Sequence, residues 1–138
     1  MKIIVSTVVA APLEQVWAAY TTPEDIMIWN TASPDWHTTS STVDLRPGGK
    51  FSSRMEAKDG SFGFDFAGEY TTVVPLERIE YVFGDRTGTV EFRQEPDGVN
   101  VTVTFDGEQT HSEEQQRAGW QSILDSFRRH VAGKRASE

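Results

Sequence analysis

Residues 112–133 read SEEQQRAGWQSILDSFRRHVAG, and the fold of the chain turns on that stretch. Ser112 and Gln115 are spaced as a capping box, in which each side chain bonds the other's backbone N–H at a helix start. Arg128, Arg129 and His130 lie where the negative end of a helix dipole favours cations, and Gly133 is a natural stop. Between these signals Trp120, Ile123, Leu124, Phe127 and Val131 recur at 3.6-residue spacing. The pattern predicts one continuous helix over 112–132 with an apolar stripe along its length. Such a stripe must be buried against something large.

The preceding 70 residues supply a partner, because from Thr42 onward the apolar period changes from helical to alternating. Phe51, Met55 and Ala57 share one strand face and Arg54 and Glu56 the other; Pro47-Gly48-Gly49 turns the chain before them, and Asp59-Gly60 after them. Phe62, Phe64 and Phe66 continue the alternation on the returning strand. Gly68 marks a bulge or a close backbone approach, and Tyr70 to Val74 runs to Pro75. Ile79, Tyr81 and Phe83 line a further strand, and Val90 and Phe92 the next. After the Pro96-Asp97-Gly98 turn, Val99, Val101, Val103 and Phe105 form the clearest alternating strand.

Working back to the start, Lys2 to Ala10 reads as a strand with Ile4, Val8 and Ala10 at alternate positions. Pro12 suits a first helical position, and Leu13, Val16, Trp17 and Tyr20 share one helical face. A second short helix begins with Thr22 as N-cap, Pro23 at N1 and Asp25 completing the cap, and it buries Ile26, Met27 and Trp29. Residues 30–40, rich in Thr, Ser, Asn, Asp and Pro, read as an irregular loop carrying Trp36 and His37. The expected fold is α+β: one domain over 1–138, a curved antiparallel sheet around a long C-terminal helix, with two short helices after the first strand.

Composition narrows the functional classes. Thirteen Lys and Arg stand against 21 Asp and Glu, a formal charge of -8, which would repel phosphate backbones and anionic lipid surfaces, so neither nucleic acid nor a membrane surface is an expected partner. With no Cys there is no disulfide, thiolate metal site or cysteine nucleophile, which suits a reducing, cytoplasmic setting. Ser6 and Thr7 interrupt the apolar start, so it does not read as a signal peptide, and no window approaches a membrane span. Three scattered His without a His-x-x-x-His pair argue against a metal, and no cofactor motif is present.

In element order, and in the segments Leu45-Arg46-Pro47-Gly48-Gly49-Lys50-Phe51, Gly68-Glu69-Tyr70 through Val74-Pro75 with Arg78-Ile79, and Thr110 to Trp120 with Leu124, the chain resembles the activator-of-Hsp90-ATPase-like branch of the START (SRPBCC) superfamily, whose fold is the helix-grip. The resemblance runs from Ile4 to Gly133. It implies a cavity between the long helix and the concave sheet, which in superfamily members receives lipids, sterols, polyketides or plant hormones. ATPase activation is not implied, because the eukaryotic co-chaperones of the branch carry a separate N-terminal domain that this chain lacks.

Inward strand positions and the helix stripe nominate Trp29, Trp36, Phe51, Met55, Phe64, Phe66, Phe83, Phe92, Trp120 and Leu124 as ligand-binding residues, with Phe105 and Phe127 beside them. Aromatics most often fill cores; what favours a pocket is their bulk, which leaves spaces that branched aliphatics would close. The favoured function is binding of a small apolar or aromatic molecule, without catalysis. An acid–base enzyme of the cyclase, dehydratase or hydrolase kind would draw on His37, His111 or Asp65, with Glu69 as a further carboxylate. A module that docks a protein partner through its acidic surface is the third reading.

Overall fold

The computed structural model describes residues 1–136. In chain order its elements are β1 (Lys2–Val9), α1 (Leu13–Thr21), α2 (Pro23–Trp29), β2 (Trp36–Val43), β3 (Lys50–Ala57), β4 (Gly63–Val74), β5 (Arg78–Phe83), β6 (Arg86–Glu95), β7 (Gly98–Asp106) and α3 (Glu113–Ala136). The strands form one seven-stranded sheet in the order β1-β7-β6-β5-β4-β3-β2. Every neighbouring pair is antiparallel. Successive strands from β2 to β7 pair as a meander, and β1 closes the far edge beside β7. The sheet curls around α3, the helix-grip arrangement.

The core sits where the best alternation falls. Val99, Val101, Val103 and Phe105 of β7 are all fully buried, and Leu124, Phe127 and Val131 of α3 are sealed against the sheet and short helices. The capping box forms: Ser112 Oγ accepts from the Gln115 backbone N–H and Gln115 Oε1 accepts from that of Ser112, each at 3.1 Å. Gln121 Nε2 donates to the Ser6 carbonyl at 3.0 Å, tying α3 to the edge strand β1.

Several expectations are corrected. The inward face of β1 is Ile3, Val5, Thr7 and Val9, while Ile4 is 57% exposed; Ile3 pairs with Phe105 and Val5 with Val103, so the buried face of β7 sets the register. Residues 36–43, expected largely as loop, form edge strand β2. Its polar sequence hides it, since Thr38 is the one fully buried position and its hydroxyl donates to the Asn30 carbonyl at 2.7 Å. Met27 is exposed, because α2 turns only Asp25, Ile26 and Trp29 inward. Helix α3 runs past Gly133 to Ala136. Of the two readings of Gly68, the close backbone approach holds, against the Val82 carbonyl, and the bulge does not: Gly68 pairs regularly with Phe51, and the shifts lie at Tyr70/Thr72 and Thr38/Ser40.

Thr22 and Pro23 start α2 as expected, but no side chain caps it. Asp25 instead reaches α3, where Oδ1 accepts from Lys134 Nζ at 2.9 Å and lies 2.8 Å from His130 Nε2. Burial raises the carboxyl's pKa, yet the hydrogen bonds from Lys134 and His130 outweigh it and hold Asp25 below its ordinary value. A depressed folded-state pKa contributes stability above the unfolded-state pKa and loses it as pH falls through the folded value. Asp25→Ala should therefore cost about 2 kcal/mol at pH 7, and the difference from the unsubstituted protein should shrink below about pH 4. Urea melts at pH 7 and pH 3 measure it; a difference unchanged between them would mean that the carboxylate charge is not what joins α2 to α3.

Candidate functional site

The sheet is broader than α3 can cover. The C-terminal half of α3 packs on the core with α1 and α2, whereas its first half, from Gln115 to Ile123, stands across a pocket of about 540 Å³. The opposite wall comes from the inward positions of β2 to β6, and the ends of α1 and α2 contribute Tyr20, Ile26 and Trp29. Two aromatic–glycine pairs explain much of this space. Phe51 is paired across the strands with Gly68 and Tyr81 with Gly88; the Tyr81 ring lies where a Cβ on Gly88 would be, and the Phe51 ring tip comes within 2.8 Å of a Cβ position on Gly68 that the Val82 carbonyl already fills. Rings laid along the sheet do not stand up into the interior, and the concavity above them stays open.

Among the expected residues, Trp29, Trp36, Phe51, Met55, Phe64, Phe66 and Trp120 line this pocket. Phe66 and Trp120 meet edge-on with centroids 5.7 Å apart, and Trp120 also stacks on Phe105 at 4.8 Å. Phe64, 40% exposed, stands at the rim with Trp36. Phe83, Phe92 and Leu124 are buried and lie outside the lining. Phe92 is covered by Trp17 and Tyr20 of α1, at 5.1 and 5.6 Å. Phe83 is wedged against Phe66 and Tyr81, with the Arg86 guanidinium 4.4 Å above its ring. Leu124 is only 1% exposed on the helix stripe, and Phe105 and Phe127 are likewise core.

The proton-transfer candidates are dispersed. Asp65 is exposed and pairs with Arg54 at 3.5 Å, and Glu69 is exposed. His37 is exposed and borders a separate depression of about 350 Å³ beside α2 and α3. Only His111 borders the large pocket, at the rim, where Nδ1 lies 2.9 Å from Glu108 Oε1. Among the described residues no three His, Asp or Glu side chains gather as a metal would need.

Among the wall residues that sequence reading did not nominate are Tyr20, Tyr70, Tyr81 and Arg86. Tyr70 and Tyr81 occupy inward strand positions where alternation had read only bulk. Arg86, on the same face of β6 as Gly88 and Val90, had no signal at all.

No described helix is long and apolar enough to cross a membrane. No curated protein matches the chain. The solution NMR structure of the AHSA1-like protein from Aeromonas hydrophila superposes with a TM-score of 0.91 at 48% identity, covering 97% of this chain and 94% of that one. A solution structure from Cytophaga hutchinsonii gives 0.83 at 40% identity, over 99% and 96% of the two chains. A crystal structure from Chromobacterium violaceum also gives 0.83, at 26% identity over 93% and 95%. The sequence model described as Activator of Hsp90 ATPase homolog 1-like protein matches residues 10–132, and the chain belongs to that family.

Proposed function

We propose that this chain is a binding protein for a small apolar or aromatic molecule held between the first half of α3 and the concave sheet. The observation that carries the reading is the aromatic-walled space itself. Its volume, about 540 Å³, falls within the range of about 300–1,000 Å³ usual for small-molecule sites. Burying apolar ligand surface there would contribute on the order of 25 cal/mol per Å² before the costs of association. Three tryptophans, Trp29, Trp36 and Trp120, border the space, so occupancy should change intrinsic fluorescence.

Titration with fatty acids, flavonoids and small polycyclic aromatics, read by tryptophan emission and repeated by calorimetry, tests the reading. At least one member should bind well below millimolar. Phe64→Ala should shift preference within the panel several-fold with little change in melting temperature, because a rim residue already has space on one side. The control is Val103→Ala, fully buried and away from the pocket, which should cost about 2 kcal/mol without altering preference. If no member binds below about 1 mM, roughly 4 kcal/mol of affinity, the protein-docking reading takes precedence.

A further inference from the structure

The polar groups within the pocket suggest what its occupant carries, an inference that rests on the binding reading above. Tyr70 and Tyr81 are 8% and 6% exposed, yet neither phenol has a hydrogen-bond partner among the described residues. Among the described residues no fully enclosed side-chain oxygen or nitrogen lacks a partner, so these hydroxyls open on accessible space, and both residues line the pocket. Burial pushes the Tyr70 phenol up to about 12 and raises those of Tyr81 and Tyr20 as well. All three are neutral O–H donors near pH 7. A buried donor without a partner costs free energy, and a ligand acceptor removes that cost.

Arg86 extends the same donor surface. Cross-strand register places Tyr81 opposite Gly88 and Phe83 opposite Arg86. The Tyr81 hydroxyl lies over Gly88, one inward step along β6 from Arg86. Arg46, Arg54, Arg78, Arg93 and Arg117 each hold a carboxylate. Arg86 holds none among the described residues: it has one long bond to the Asp106 carbonyl, 3.4 Å, and the face of Phe83. Two carboxylates lie nearby. Glu108, on the pocket rim, is engaged by the His111 backbone N–H at 2.6 Å and ring at 2.9 Å. Asp106, outside the lining, is engaged by Lys2 at 2.7 Å and by Thr87. The Arg86 charge helps to hold the Glu108 carboxyl below its ordinary value, but no carboxylate of the described residues bonds the guanidinium directly, and a half-buried guanidinium with N–H groups to spare beside an apolar pocket points to an anion from outside.

We propose that Arg86 and the Tyr81 phenol form the head-group receptor of the pocket, and that its ligands are monocarboxylic acids with an apolar or aromatic body. The carboxylate accepts from the Arg86 N–H groups and the Tyr81 O–H, while the body lies along the Phe51, Phe66 and Trp120 walls. Tyr70 offers a second donor.

The test compares pyrene-1-butanoic acid with its methyl ester, titrated at pH 7.5 by energy transfer from tryptophan and by calorimetry. The acid should bind the unsubstituted protein roughly tenfold more tightly than the ester, as expected for hydrogen bonds to a charged group. Arg86→Met, which keeps an aliphatic stem over Phe83, should bring that ratio close to one. Tyr81→Phe should reduce it several-fold, and it supplies the answer if Arg86→Met fails to fold in a thermal melt. Equal affinity for acid and ester, or a ratio that survives both substitutions, overturns the head-group assignment and leaves the pocket reading standing. Failure of both compounds to bind at millimolar concentration overturns the two together.

Discussion

Phe127→Ala is expected to lower the unfolding free energy by about 3–5 kcal/mol, more than truncation of Trp120 or Val103. Phe127 is fully buried. Its ring meets Tyr20 at 5.2 Å and Trp29 at 5.0 Å, both edge-on, so one side chain holds α3 against both short helices. Trp29 is itself fixed by its indole N–H, which donates to the Ala19 carbonyl at 2.8 Å, and cannot swing in to refill the space. A loss of this size takes a large share of the roughly 5–15 kcal/mol that domains have. Trp120, at the middle of the stripe in sequence, should cost less on truncation. It is half-buried and borders open space, so removing it widens a pocket instead of creating a sealed cavity. Urea denaturation of both variants gives the comparison, and a Phe127→Ala loss smaller than that of Trp120→Ala would reverse this account of the core.

The contrast between those residues shows where sequence periodicity informs and where it stops. Strand β7 and helix α3 were legible because each carries one apolar face and one polar face, so a single period fits. Strand β1 carries apolar residues on both faces, and only pairing with β7 decides that Ile3 faces inward and Ile4 outward. Strand β2, mostly Thr and Ser with a register shift after Thr38, has no alternating apolar face to read. Asp25 and His130 meet across 105 positions, and nothing local announces such a contact. For the pocket, alternation identified which aromatics face inward but not which part of the inward face stays open. Phe92 and Phe66 look alike in sequence; α1 covers the first, whereas the second borders the pocket and meets the edge of Trp120 across it. Arg86 follows only from the register of β5 on β6, which puts its side chain beside Tyr81 and Gly88.

Register also supplies the second large effect, since Gly68→Ala should destabilise the protein by about 3 kcal/mol although it adds a single methyl group. A Cβ at Gly68 would overlap the Val82 carbonyl oxygen and lie 2.8 Å from the Phe51 ring tip. The ring can swing aside, but the carbonyl belongs to β5, and moving it parts the ladder in which Glu69 pairs with Val82. Gly88 provides the comparison, because the nearest atoms to its Cβ all belong to the Tyr81 ring. A methyl group there meets first a side chain, whose displacement is into the pocket. Gly88→Ala should therefore cost the fold about 1 kcal/mol while occupying ligand space and displacing the Tyr81 phenol. The pair separates two roles of a cross-strand glycine: at position 68 the missing Cβ lets two strands approach, and at position 88 it lets an aromatic ring lie down and keeps the interior open. Thermal melts with pyrene-1-butanoic acid titrations on both variants test this. Equal destabilisation by the two substitutions, or undiminished binding by Gly88→Ala, would remove the glycine–aromatic pairs as the origin of the pocket.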